Sequence, residues 1–82
     1  MKLMFQDSYG KERVIGESDN KVVIQALIRQ FLDDHNFKSY YTRVWAENDR
    51  LVLDVGSHTE FFIIEGITFK EWVEQKTENN NV

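Results

Sequence analysis

The sequence predicts an α+β fold, a two-layer sandwich of order β-β-α-β-β-β-α, in which a mainly antiparallel sheet carries its helices on one face. Three observations lead there. Short runs of β-branched and aromatic residues, broken by Asp, Asn, Ser and Gly, occur at both ends of the chain's first 66 residues. One long amphipathic stretch and one short capped stretch carry helical signals. The connections between these elements are short, which favours antiparallel neighbours.

The first strand is expected over 2–6 and the second over 12–16, joined by Asp7-Ser8-Tyr9-Gly10-Lys11, whose residues supply turn chemistry. Ser18 and Asp19 then offer side-chain oxygens to a helix start. Val23, Ile24, Leu27, Ile28, Phe31 and Leu32 recur at three- and four-residue spacing, an apolar stripe with Lys21, Gln25, Arg29 and Asp33 to the outside. Asn36 tolerates the left-handed conformation that ends such a helix, and Phe37 is placed to fold back on the last turn.

Three strands follow, over 39–47, 50–55 and 60–65. In the first of them Tyr41, Arg43 and Trp45 share one side, and Tyr40, Thr42, Val44 and Ala46 the other. Asn48-Asp49 is a turn signal, and Gly56-Ser57-His58-Thr59 interrupts the pattern again. Thr68-Phe69-Lys70-Glu71 fits a capping box, with Ile67 and Trp72 placed as a hydrophobic staple. The last helix is expected to run through Lys76, and 79–82 to be a frayed tail after a single domain over 1–78.

Composition narrows the function classes. Eighty-two residues leave room for one core. The absence of Cys excludes disulfides, thiolate metal sites and a cysteine nucleophile. The longest unbroken apolar stretch, Phe61–Ile64, is far shorter than a membrane span, and the polar turn at Gln6 rules out a signal-peptide core. A cytoplasmic, membrane-free domain is the expectation.

Residues 1–46 hold seven Lys/Arg and six Asp/Glu, whereas 47–82 hold three and eight. The acidic side chains Glu65, Glu71, Glu74 and Glu78, around and along the last helix, read either as a solvated face or as a surface for a basic partner. A net charge of −4 disfavours phosphate contacts unless the cations are gathered in one place.

Chemical constellations are sparse. The four glycines are isolated, so no loop cradles phosphate, and there is no H-E-x-x-H motif. His35 lies between Asp34 and Asn36, but adjacent helical positions point about 100° apart and cannot grip one ion together. The expected position of His35 near a helix C-terminus is favourable in its own right. No cofactor, metal or catalytic residue is assigned, and the chain reads as a non-enzyme. Tyr41, Arg43 and Trp45 are the strongest surface candidates, because aromatic residues and Arg dominate binding hot spots. They are exposed if the helices cover the other face, and core if they do not.

Three resemblances bear on function. Gly56-Ser57-His58 is similar to the triplet of the HicA-type mRNA interferase toxins, a likeness that makes His58 the equivalent of their catalytic histidine. The helix–strand–strand–strand–helix portion resembles a double-stranded-RNA-binding domain in outline, but its last helix begins Thr68-Phe69-Lys70-Glu71 without the Lys-rich phosphate clamp. The strings 37–45 and 54–62 resemble small proteins encoded by phages and prophages of low-GC Gram-positive bacteria, over residues 1–66. That last resemblance implies an accessory role inside the bacterium. The expectation is therefore a phage-type protein-binding module that inhibits a host or defence protein, for example as an anti-CRISPR. Tyr41, Arg43, Trp45, Glu71, Glu74 and Glu78 would form the contact, and a homodimer is an open state. The alternative is a protein directed at RNA or single-stranded nucleic acid, including a ribonuclease using His58.

Overall fold

A computed structural model describes residues 1–39 and 42–74 of the chain. Its elements are β1 (Lys2–Gln6), β2 (Glu12–Glu17), α1 (Lys21–Asp34), β3 (Arg43–Glu47), β4 (Arg50–Asp54), β5 (Phe61–Glu65) and α2 (Phe69–Val73). The order is the expected one. All strand pairs are antiparallel, and the sheet reads β2-β1-β5-β4-β3. The edges are thus β2 and β3, and α1 carries the chain from one edge to the other.

Both helices lie on one face. Leu3 of β1, Leu51 and Leu53 of β4, and Phe62 and Ile64 of β5 form the core there with Ile24 and Ile28 of α1. Leu27, Phe31, Leu32, Phe37, Val44, Ile67 and Trp72 pack around it. Val23, at the margin of the expected stripe, is 41% exposed. The helix comes close enough to β2 that a Cβ on Gly16 would lie 2.9 Å from Leu27 Cδ1. Any larger residue there would have to displace the end of the Leu27 side chain.

The start of α1 differs from expectation. Asn20 is the N-cap, its Oδ1 accepting from Val22 N–H, while Ser18 Oγ accepts from Asn20 N–H one step earlier. Asp19 makes no cap. The competing Asx geometry of Asn20 wins because it stands directly before the first helical residue. The end of α1 is as read: Asn36 is left-handed at φ 53°, Asn36 N–H donates to Asp33 O and Phe37 N–H to Leu32 O. That is the Schellman arrangement, with Phe37 folded back on the core.

The capping box of α2 is present in both directions, Glu71 N–H to Thr68 Oγ1 and Thr68 N–H to Glu71 Oε1. The helix is shorter than expected. Glu74 is extended at φ −70°, ψ 130°, so the helix stops at Val73 instead of reaching Lys76. The cause lies across the fold: Lys21 Nζ donates to the carbonyls of Glu71, Trp72 and Glu74 at 3.0, 3.0 and 2.7 Å. An ammonium that gathers the terminal carbonyls favours stopping the helix there. The expected frayed tail over 79–82 lies outside the described residues.

Candidate functional site

The face opposite the helices carries Arg43 and Trp45, since Val44 between them packs into the helix-side core. Strand alternation therefore settles which side of β3 is uncovered. β3 itself is shorter than the expected 39–47, beginning at Arg43. Tyr41 lies outside the described residues.

The two-residue turn Asn48-Asp49, with both residues left-handed at φ 52° and 64°, joins β3 to β4 and sets the register Glu47↔Arg50, Trp45↔Val52, Arg43↔Asp54. In such a hairpin the residues flanking the turn are a hydrogen-bonded pair, and the pattern alternates along the strand. Glu47, Trp45 and Arg43 accordingly bond to β4, and the backbone groups of Val44 and Ala46 point outward from the sheet. β3 is an open edge.

Arg43 and Trp45 are fixed in place. Asp54, 3% exposed, accepts from Arg43 Nη2 at 2.8 Å through Oδ2 and from Gly56 N–H at 2.8 Å through Oδ1. Those bonds hold its carboxyl below the usual carboxylate range, the Arg43 bond first and the Gly56 amide second, against the opposing effect of burial. The guanidinium stands 6.0 Å from the centre of the Trp45 ring. Trp45 meets Phe61 edge to face at 6.2 Å and is 37% exposed.

The rest of this face is more closed than a bare sheet. Met4, Val52 and Ile63 form a second small cluster with Phe61, and Ile63 is 1% exposed although it lies on the face away from α1 and α2. Arg50 of β4 reaches over β5 and β1 to Glu12 of β2, Nη1–Oε1 2.8 Å and Nη2–Oε2 3.0 Å. By the strand register, this bridge crosses at Ile63 and Met4. The Glu12 bonds, with the nearby charges of Glu65 and Glu47, raise the Arg50 pKa despite some burial. Exposed apolar surface on this face is left near Trp45 and at Val14 on the β2 edge.

Glu71 and Glu74 belong to the helix layer, and Arg43 and Trp45 to the opposite face. Glu71 uses its carboxylate in the capping box, and the Thr68 backbone and hydroxyl bonds lower its pKa. Glu74 is exposed beyond the end of α2, and its carbonyl is held by Lys21. Glu78 lies outside the described residues. The sequence reading missed Lys21 as the cap of α2 and Arg50–Glu12 as the cover of the sheet. Pairings between residues 38 and 50 positions apart leave no local signal.

The histidines are placed without a common chemical centre. His58 is exposed in the β4–β5 connection, left-handed at φ 72°. His35 stacks on Phe31 at 4.1 Å, its Nδ1 2.8 Å from Phe31 O. His35 helps line a cleft of ≈ 290 Å³ that is otherwise mainly apolar (Phe5, Phe31, Leu32, Phe37, Phe62) with Ser57 and Glu60; His58 is not part of it. Among the described residues no cluster of three His, Cys, Asp or Glu could hold a metal ion, and no helix is long and apolar enough to cross a membrane.

No family model matches the chain, and neither a curated protein nor a solved structure matches it.

Proposed function

We propose that the chain is a small non-enzymatic protein-binding module that engages its partner through the open β3 edge and the Arg43–Trp45 face beside it. One observation carries this reading. An Arg and a Trp are held together by Asp54 and Phe61 on an edge strand, with the Trp 37% exposed. A preorganised side-chain pair loses little entropy on binding, and an unpaired edge supplies main-chain donors and acceptors for an incoming strand. The likeness of residues 1–66 to phage-encoded proteins supports a host or defence protein as that partner, bound in the bacterial cytoplasm and inhibited by occlusion. The acidic residues of α2 have a smaller part in this reading, because Glu71 already serves its own helix.

The test is capture from bacterial lysate on the immobilised chain, with and without nuclease, alongside Trp45→Ala. The expected result is a protein retained after nuclease treatment and bound at least about 30-fold more weakly by Trp45→Ala. Retention of nucleic acid that disappears with nuclease, or retention indifferent to Trp45→Ala, overturns the reading.

A further inference from the structure

The two edges of the sheet differ in what they can accept. β2 is bulged, its register shifting between Leu3↔Gly16 and Met4↔Val14, and a bulge spoils an edge for strand addition. A second β2 laid antiparallel over its full length would also bring Glu12 opposite Glu17 of the other copy. β3 has no bulge in its pairing with β4, contains no Pro, and is exposed at Arg43, Trp45, Ala46 and Glu47. Its sequence, Arg43-Val44-Trp45-Ala46-Glu47, carries opposite charges at equal distances from a central aromatic.

That symmetry has a geometric consequence. An antiparallel copy of β3 centred on Trp45 places Arg43 opposite Glu47 of the second molecule, twice, and the two Trp45 rings opposite each other. All six side chains lie on the helix-free face. Val44 falls opposite Ala46, and these are the residues whose N–H and C=O point away from β4. They form the hydrogen-bonded pairs, which leaves the tryptophans at a non-hydrogen-bonded position, where facing side chains come closest. Charge, backbone phase and side-chain facing agree on a single register.

We infer that the β3 edge accepts a second copy of this chain, joining two sheets across a two-fold axis at Trp45 into one continuous ten-stranded sheet. The inference rests on the reading of β3 as the interaction edge, and it adds self-pairing of the free chain there, which a bound host protein would displace. α2 lies against β3 and leaves Phe69 and Val73 42% and 47% exposed, so apolar surface is available on the helix side as well. The contact is small, and the dimer is one that dissociates on dilution.

Sedimentation velocity on the full chain from about 1 μM to about 1 mM, together with two variants, tests this. Glu47→Lys sets like charges opposite each other twice and is expected to weaken self-association about tenfold or more. Ala46→Pro removes an N–H that points away from β4, so the fold tolerates it at an edge while pairing between copies is lost. Far-UV circular dichroism of both variants confirms that the sheet is intact. In a mixture of labelled and unlabelled chains, isotope-filtered NOEs between Val44 and Ala46 of different molecules are expected. A chain that stays monomeric at every concentration, or a dimer insensitive to both folded variants, overturns the inference. Loss of foreign-protein capture in Trp45→Ala together with a strictly monomeric chain would refute the dimer and leave the binding reading standing. Self-association without foreign capture would do the reverse.

Discussion

Arg50 on β4 and Glu12 on β2 form a two-pronged ion pair across the full width of two intervening strands, at 2.8 and 3.0 Å. A fork of this kind matches guanidinium to carboxylate and adds direction to charge. Beneath it, Ile63 and Met4 are shielded without a helix. The bridge also ties the β2 edge to the half of the sheet that carries β3.

Because both side chains are about 30% exposed, the ion pair contributes modestly on its own. Glu12→Gln and Arg50→Met are each expected to lower stability by about 1 kcal/mol, with a coupling of about 0.5–1 kcal/mol in the double-mutant cycle. Urea denaturation at low and high salt measures this. A coupling that vanishes at high salt would show a solvent-screened pair that covers nothing.

Asp54 links stability to pH. Its carboxyl is held below the ordinary value by Arg43 and the Gly56 amide. The stabilisation is therefore complete above the unfolded value of about 3.9 and is lost as pH falls through the lower folded value. Asp54→Asn removes this dependence. The stability gap between wild type and Asp54→Asn is expected to be about 1 kcal/mol at neutral pH and to narrow as pH falls below about 3.9. Denaturant midpoints across that range check it, and a gap that widens in acid contradicts the sign.

Lys21 stops α2 from the opposite side of the chain. Lys21→Met keeps most of the side chain's length and removes the donors to three carbonyls. About 1 kcal/mol of stability should be lost, with weakened near-ultraviolet dichroism if Trp72 loosens from the core. An unchanged Trp72 environment would show that apolar contact alone seats the helix.

Gly16 of β2 faces the Leu27 side chain of α1. Gly16→Val pushes Cβ into Leu27 and is expected to cost about 1–3 kcal/mol. Leu27→Ala should recover part of that loss, since it removes the atoms in conflict. Thermal melts of the two single variants and the double variant decide the point.

What could be read in the sequence, and what could not, separates by the range of the interactions. The Thr68–Glu71 box, the Asn36 stop and the Asn48-Asp49 turn are local chemistry, and each stands where its residues predicted. Two-residue alternation correctly paired Arg43 with Trp45, but which side the helices take depends on α1 crossing from β2 to β3, a global property of the chain. The end of α2 was misjudged because its stop signal, Lys21, lies some fifty residues earlier. The acidic residues of α2 read as one surface in a helix reaching Lys76; the extended Glu74 breaks that face. Glu47 gained meaning only when the phase of the β3–β4 ladder showed which backbone groups face outward.

Amide hydrogen exchange, residue by residue, on the chain alone and saturated with its captured protein partner, tests the central claim most directly. The account predicts that Val44 and Ala46, whose N–H groups face away from β4, exchange quickly in dilute free chain and become protected on binding, with the Trp45 indole shifted. Protection confined to the outer face of α1 or to α2, with Val44 and Ala46 unchanged, would contradict it.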